Sequence, residues 1–242
     1  MATRKTVSHI LTLDCDWAPD FVLADVLERV ARKGAHATIF VTHPTPVIKG
    51  LGPEGRLELG WHPNFLHGSS HGGTPEAVAD YLAAIVPKAR SMRTHGLVTG
   101  TALFREFLTV APHLRYDSSV YLPGQKHLSG SDMRFGGKAR IKRFPIAWED
   151  DCHLMEQGGF PFRLAEIPTL GTCVVDFHPI HVWLNTADLK VYQKLKTMGP
   201  LQDLKEKDLK PLRNKGQGIA TVFEQALDTL DFSLNLSERA SG

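Results

Sequence analysis

The stretch VSHILTLDCDWAPD, residues 7–20, decides the fold of this chain. Its apolar start predicts a β-strand over residues 7–13, and Pro19 then begins a helix whose apolar positions repeat at helical spacing. Gly34 predicts the end of that helix, because glycine readily adopts the left-handed conformation that closes helices. A buried strand followed at once by an amphipathic helix is the first half of a βαβ unit.

The rest of the chain repeats this alternation. Further strands are predicted at ATIFVT, RLELGWH, RFPIAW and GTCVVDFH, which are residues 37–42, 56–62, 143–148 and 171–178. Helical segments separate them, and this pattern predicts an α/β fold with a largely parallel sheet. The length suits one α/β unit, so we expect a single domain over residues 1–242 with a lysine-rich surface insertion around 186–214.

Composition narrows the classes of function. The chain has 28 Lys and Arg against 26 Asp and Glu, a net charge of +2, and no basic run interleaved with aromatic residues. We therefore expect no nucleic-acid partner. The apolar stretch near the start is too short for a signal peptide or a transmembrane segment, which favours a cytoplasmic location. Three cysteines without CxxC spacing favour buried thiols over disulfides or a structural zinc site. The oligomeric state stays open.

Two aspartates end the first predicted strand. Asp14 and Asp16 are two residues apart, so along an extended chain both carboxylates face the same way. Chemistry in α/β folds lies at the carboxyl ends of parallel strands, where these side chains would enter a cleft. Two adjacent carboxylates repel each other, and a bound cation relieves that repulsion. The alternative is that one aspartate caps the helix near Pro19 while the other is solvated.

A histidine ends another predicted strand. His62 directly follows LELGW. Catalytic zinc sites commonly use three ligands drawn from His, Asp and Glu and leave a position for water. A lone histidine at a strand end is more often a hydrogen-bonding residue, so the interpretation of His62 as a metal ligand depends on the two aspartates.

Five segments together resemble a known family. TLDCDW, ATIFV, LELGWHPNFLHG, SMRTHG and VVDFHPIH, spread over residues 8–190, look like the polysaccharide deacetylases of the NodB-homology group. The branch that they resemble occurs with O-antigen and cell-surface polysaccharide biosynthesis. The resemblance implies an irregular (β/α) barrel, a distorted TIM-like barrel of about seven strands. It also implies metal-dependent hydrolysis of N-acetyl groups from an amino sugar in a polysaccharide, an oligosaccharide or its precursor.

The resemblance also implies roles for particular residues. Asp14 matches the catalytic base, Asp16 matches a metal ligand, and His62 matches the next ligand. His178 matches the general acid. Zn²⁺ fits such a donor set, with Fe, Co or Ni as alternatives. The carbohydrate substrate would carry an N-acetylated amino sugar.

The second family motif departs from its usual pattern. Leu66 stands where a second histidine is normally found, four residues after His62. His67 or His95 then supplies the third ligand. We favour His95, because a strand end holds a ligand more rigidly than the Gly/Ser-rich loop around His67.

Further positions support the same interpretation. Arg93 matches the arginine that orients the base aspartate, with an ordinary surface arginine as the alternative. Trp148 is a candidate wall of the substrate pocket. The three acids that follow it are unranked partners for an arginine or a histidine: Glu149, Asp150 and Asp151. His181 and Asn185 are expected at the rim of the site.

Two other functions are compatible with the sequence. In a haloacid-dehalogenase-type phosphatase, Asp14 would be the nucleophile, Asp16 the acid/base, Thr42 a phosphate ligand, and Asp150 or Asp151 a Mg²⁺ ligand. That reading leaves the strand-end histidines without a role. A non-catalytic carbohydrate-binding module is the other alternative, and the departure at Leu66 is its main support.

Overall fold

The structure is a computed structural model that describes residues 8–51, 55–157, 167 and 171–241. Val7, the start of the first predicted strand, lies outside the described residues. The same holds for residues 1–6, 52–54, 158–166, 168–170 and 242 of the predicted domain. The strands are β1 (Ser8–Asp14), β2 (Ala37–Val41), β3 (Leu57–Trp61), β4 (Ser91–Met92), β5 (Tyr116–Asp117), β6 (Ser131–Arg134), β7 (Arg140–Arg143), β8 (Ile146–Glu149) and β9 (Thr172–Phe177). The helices are α1 (Asp20–Arg32), α2 (Pro75–Ile85), α3 (Thr101–Val110), α4 (Asp150–Gln157), α5 (Pro179–Leu184), α6 (Leu189–Leu195), α7 (Glu206–Leu209), α8 (Ile219–Thr229) and α9 (Leu236–Ser241).

The strands form one sheet in the order β6-β7-β5-β4-β3-β2-β1-β9-β8. Every pair in this order is parallel except β6 and β7, which form an antiparallel hairpin. The predicted α/β fold with a largely parallel sheet is confirmed. Barrel closure stays a prediction.

The described part of the chain has nine strands in this sheet instead of about seven. Strands β4 and β5 contain two residues each, which is too short for the sequence to show a hydrophobic periodicity. The hairpin strand β6 is mostly exposed and polar, so it lacks the alternation of apolar and polar residues that marks a half-buried strand.

The core lies against the centre of the sheet. The first predicted strand and helix occur as expected, and α1 buries one face at helical spacing: Val22, Leu23, Val26, Leu27 and Val30. Burying each such side chain stabilises the fold by roughly 1.5–3 kcal/mol. This packing fixes β1, and hence the residues that follow it, as a rigid platform.

The segment 186–214 leaves the main fold and returns to it. Asn214 N donates to Leu184 O at 2.9 Å, and the Asn185 side chain donates to Asn214 O at 3.1 Å. Within the segment, Leu195 and Leu209 are buried in the main core. The interpretation of this segment as a surface insertion stays a prediction. Among the described residues, no helix combines the length and apolar character needed to cross a membrane.

Candidate functional site

The candidate site lies at the carboxyl edge of the sheet, where the chain turns sharply after β1. Asp16 and Trp17 have φ angles of 41° and 55°, in the left-handed region. The Trp17 N–H donates to Thr42 Oγ1 at 3.1 Å, which ties this turn to the end of β2. Cys15 is fully buried in the core. The turn therefore directs the Asp16 carboxylate along the edge, toward the segments that follow β3 and β4.

Two histidines meet the Asp16 carboxylate. Asp16 Oδ1 lies 3.0 Å from His62 Nε2 and 3.0 Å from His95 Nδ1. His95 reaches this place because its N–H donates to Pro63 O at 2.9 Å, so the segment after β4 runs beside the segment after β3. The two imidazole rings are 5.4 Å apart.

This cluster has a donor set that fits a divalent transition metal. One atom from each of Asp16, His62 and His95 can be chosen so that all three lie within 4.8 Å of one another. Ligand atoms on a tetrahedral zinc ion, at bond lengths of about 2.0–2.1 Å, are separated by about 3.3 Å, close to the observed 3.0 Å contacts. Small movements of these side chains would therefore accommodate an ion.

His67 lies elsewhere. It is exposed, and it lines a cavity of about 440 Å³ formed by the loop between β3 and α2. It belongs to none of the described groups of three potential metal ligands. The structure thus brings His95 to Asp16 and places His67 on a separate surface.

A buried arginine holds Asp14 in place. Arg93 is fully buried, and its Nη1 donates to Asp14 Oδ1 at 2.8 Å and also to Asp176. Its other donors reach Thr12 Oγ1 at 2.9 Å and Ser118 O at 2.8 Å. With Asp14 Oδ1 bound to Arg93, Asp14 Oδ2 lies 3.6 Å from His62 Nε2 and faces the candidate metal cluster.

His178 completes the site from the end of β9. Its Nε2 lies 3.5 Å from Asp16 Oδ2. On the other side of the ring, Nδ1 contacts Asp150 Oδ1 at 2.7 Å, and the His178 backbone N–H donates to Asp150 Oδ2 at 2.9 Å. Asp150 thereby fixes the ring so that Nε2 points into the site. Of the three unranked acids, Asp150 is the one that binds this histidine.

Electrostatics at the site follow from burial and from these contacts. Burial raises the pKa of Asp16, but hydrogen bonds from His62 and His95 outweigh it and hold that pKa well below its usual value. Burial lowers the pKa of His62, and the charges of Asp14 and Asp16 raise it overall. Without an ion, the raised pKa of His62 favours its protonated form beside the Asp16 carboxylate, and a divalent cation would compete with that proton.

The same balance applies to His178. Burial lowers its pKa, but the charges of Asp150 and Asp151 and the hydrogen bond to Asp150 raise it well above the usual value. These contacts therefore favour the protonated form of the imidazole. His181 packs beside it with ring centroids 5.7 Å apart, and burial lowers the pKa of His181.

Sequence reasoning missed the pairing of Asp176 with Arg93 and the position of Trp17 beside His95. Asp176 binds Arg93 and accepts a hydrogen bond from Thr12 Oγ1 at 2.5 Å, because β1 and β9 pair with Thr12 opposite Asp176. Trp148, the predicted pocket wall, is buried against Phe177 with ring centroids 5.0 Å apart. The aromatic side chain beside the metal cluster is Trp17, whose ring lies 5.2 Å from that of His95. The DxDW sequence was the available signal for Trp17.

Comparisons with known proteins identify the family of this chain. The model of the WbmS-like polysaccharide deacetylase family matches residues 11–196. The chain belongs to this family. The solved structure of WbmS from Bordetella bronchiseptica, described as a candidate polysaccharide deacetylase involved in O-antigen biosynthesis, is 32% identical and has a TM-score of 0.76. The match covers 91% of this chain and 89% of that chain. No curated protein sequence gives a significant match.

Proposed function

We propose that the protein is a metal-dependent hydrolase that removes N-acetyl groups from an amino sugar in a polysaccharide, an oligosaccharide or its precursor. The observation that carries this proposal is that a candidate base, Asp14, and a candidate acid, His178, both lie beside one candidate metal cluster. Asp14 Oδ2 lies 3.6 Å from His62 Nε2, and His178 Nε2 lies 3.5 Å from Asp16 Oδ2. Family membership supplies the class of reaction.

Asp16, His62 and His95 are the residues that would hold the ion. Two imidazoles and one carboxylate favour Zn²⁺, with Fe, Co or Ni as alternatives. When bound, such an ion polarises the acetamide carbonyl and lowers the pKa of the attacking water. Nε2 is the nitrogen of His62 that would bind the ion, because it lies 3.0 Å from Asp16 Oδ1. The buried Nδ1 has no hydrogen-bond partner among the described residues.

The protein's own residues move the protons. Asp14 Oδ2 takes a proton from the attacking water, while Arg93 fixes Oδ1 and with it the plane of the carboxylate. Asp150 binds Nδ1 of His178 and its charge favours the imidazolium, which donates its Nε2 proton to the departing amine nitrogen. Each positioned acid or base contributes about 10²–10⁴ in rate.

A cavity beside the cluster favours a carbohydrate substrate. It has a volume of about 260 Å³, and Trp17, Asp20, His43 and Tyr81 are among its lining residues. The Trp17 ring faces His95 and therefore joins this cavity to the metal cluster. Aromatic rings with carboxylate and imidazole groups nearby suit the apolar faces and the hydroxyls of a sugar.

The finer architecture belongs to the same proposal. Ile146 N donates to Val120 O at 2.7 Å, and Leu122 N donates to Ile146 O at 2.9 Å. The segment that follows β5 therefore hydrogen bonds to β8, the strand at the far end of the sheet. These contacts support an irregular (β/α) barrel that closes through residues 120–122 and not through a regular strand.

The phosphatase alternative gains no support from the contacts of its key residues. Thr42 Oγ1 accepts a hydrogen bond from the Trp17 N–H at 3.1 Å and contacts His43 Nδ1 at 2.9 Å. Asp150 is engaged by His178. The non-catalytic module remains the second candidate, because Leu66 stands where the family motif normally has a histidine. An assay for acetate release separates this module from the enzyme.

The decisive experiment measures acetate release from N-acetylglucosamine oligosaccharides by purified protein that has been stripped of metal and then reloaded. We expect activity to disappear on stripping and to return with about one ion per chain. Full activity after complete removal of metal would contradict metal dependence. Metal binding without acetate release from any N-acetylated saccharide would favour the non-catalytic module.

A further inference from the structure

Another cavity lies at the edge of the sheet opposite the candidate active site, where the strands begin. Its volume is about 560 Å³, within the range of small-molecule sites. Four cationic side chains line it: Arg105, Arg115, Lys138 and Arg140. Arg105 comes from α3, Arg115 directly precedes β5, and Lys138 and Arg140 belong to the β6–β7 hairpin. We call this group the basic cavity.

An adjoining cavity of about 360 Å³ extends the same positive surface. Arg115 and Arg140 line both cavities, and Arg134 and Lys142 line the second one. Asp132 also lines the second cavity and is its acidic residue. Residues 101–143 contain eight Lys or Arg and three Asp or Glu, although the whole chain has a net charge of only +2.

The cations of the basic cavity are not neutralised by the protein. Across the described ranges, no carboxylate lies within 4.0 Å of a charged nitrogen of Arg105, Arg115, Lys138 or Arg140. By contrast, the neighbouring Arg143 is paired with Asp117. Unpaired cations that share one concave surface repel each other, and a bound anion removes that repulsion.

One of these side chains is held in place before any ligand arrives. The Arg115 guanidinium donates through Nη1 to Leu114 O at 3.0 Å and to Pro112 O. These bonds to carbonyl oxygens leave its charge uncompensated and restrict its rotamers. A guanidinium with a fixed plane and free N–H groups suits the bidentate binding of phosphate oxygens.

We propose that the basic cavity is a binding site for a phosphate-bearing ligand, with at least two adjacent phosphate groups, at the edge of the sheet opposite the deacetylase site. Two adjoining cavities that share Arg115 and Arg140 suit a diphosphate better than a single phosphate. The phosphates could belong to a soluble molecule or to a lipid headgroup. This site does not depend on the proposed function.

The test uses inorganic pyrophosphate as the probe and the full-length protein. Amide chemical shifts in ¹⁵N-labelled protein report where the probe binds. Calorimetry compares the wild type with the double variant Arg115→Gln/Arg140→Gln. Arg32→Gln is the matched control, because Arg32 is an exposed arginine on α1, and the substitution removes the same type of charge.

We expect pyrophosphate to shift amide signals of residues 105–142 and to leave those of the deacetylase site unchanged. The double variant should lose at least about tenfold in affinity, since two charge-assisted contacts are removed, and Arg32→Gln should bind as the wild type does. Absence of binding, shifts centred on Asp16 and His62, or equal losses in the double variant and in Arg32→Gln would each overturn the proposal.

The source of the phosphates is separated by a second measurement. Sedimentation with vesicles that contain cardiolipin, whose headgroup carries two phosphates, is compared with sedimentation with phosphatidylcholine vesicles, for the wild type and the double variant. Binding to cardiolipin that is lost in the double variant assigns the site to a lipid headgroup. Pyrophosphate binding without vesicle binding assigns it to a soluble phosphate ester or anhydride.

Discussion

The carboxyl edge of the sheet and the β6–β7 hairpin differ in how far their charged side chains are buried. At the carboxyl edge, Asp14, Arg93 and Asp176 are buried, and each meets an opposite charge or a hydrogen-bond partner. On the hairpin, Lys138 and Arg140 are exposed and have no carboxylate partner among the described residues. Burial forces charges to be paired, whereas exposure lets them remain available to a ligand.

The difference predicts where substitutions are costly. A buried charge network has no solvent to replace a lost partner, so its members should be intolerant of change. Exposed cations are stabilised by water, so their removal should alter ligand binding far more than folding. Five predictions test this contrast.

The largest expected effect is on catalysis. Asp14→Asn keeps the size of the side chain and an oxygen that can face Arg93 but removes the proton acceptor. We expect kcat for acetate release to fall by about 10²–10⁴ while one metal ion still binds. Steady-state kinetics and metal analysis of the same preparation check this result. Wild-type kcat in Asp14→Asn would show that another group is the base.

Removal of the buried arginine should have the largest effect on stability. Arg93→Ala leaves Asp14 and Asp176 close together, buried and without their cation. The expected loss is about 3–5 kcal/mol in the free energy of unfolding. Denaturant titration measures it, with Arg90→Ala as a control, because Arg90 is exposed and contacts Tyr116. A loss below about 1 kcal/mol would mean that the network is not needed for folding.

The choice of third ligand provides a matched pair. His95→Ala removes the imidazole that lies 3.0 Å from Asp16 Oδ1, and His67→Ala removes an exposed imidazole in the neighbouring loop. We expect Zn²⁺ affinity to fall by at least about 100-fold in His95→Ala and to stay unchanged in His67→Ala. Competition with a chromogenic chelator measures both. The reverse result would move the third ligand to His67.

The charge of Asp150 should set the alkaline limit of activity. Asp150 raises the pKa of His178, which must be protonated to act as a general acid. Asp150→Asn removes the charge, so the pKa of His178 falls and the protonated fraction is lost at lower pH. The alkaline limb of the kcat profile should therefore move toward lower pH, with no change in metal stoichiometry. A profile that does not move would remove His178 from the role of acid.

The smallest effect is expected on the hairpin. Arg140→Gln removes an exposed cation without a carboxylate partner among the described residues. We expect the free energy of unfolding to change by less than about 0.5 kcal/mol. Denaturant titration beside Arg93→Ala makes the contrast direct. A loss above about 1 kcal/mol would show that this cation supports the fold and would weaken the comparison between the two regions.

Sequence alone gave the strand–helix alternation and most of the candidate site. Asp14, Asp16, His62 and His178 each follow an apolar strand, and strand ends in parallel sheets meet at one edge. The order of the motifs identified the family, which the comparisons confirm. The roles of these side chains remain predictions until the variants are measured.

Other features could not be read from the sequence, because they depend on which strands are neighbours. The preference for His95 over His67 rested on rigidity, whereas the contact with Asp16 arises because the segments after β3 and β4 run side by side. Asp150 could not be separated from Glu149 and Asp151, because all three carboxylates lie near His178 and only the fold decides which one contacts Nδ1. The sequence also did not show that Trp148 is buried in the core.

The sequence by itself determined the α/β class, the family and the chemistry-bearing strand ends, because these are written in local periodicity and in short motifs. Only the tertiary structure decided how charges are distributed over the two edges of the sheet. Arg105, Arg115 and Arg140 are separated by 10 and 25 residues and form no basic run, yet sheet pairing and the packing of α3 place them around one cavity. Pairing between distant segments is a property of the fold, so no local pattern could reveal it.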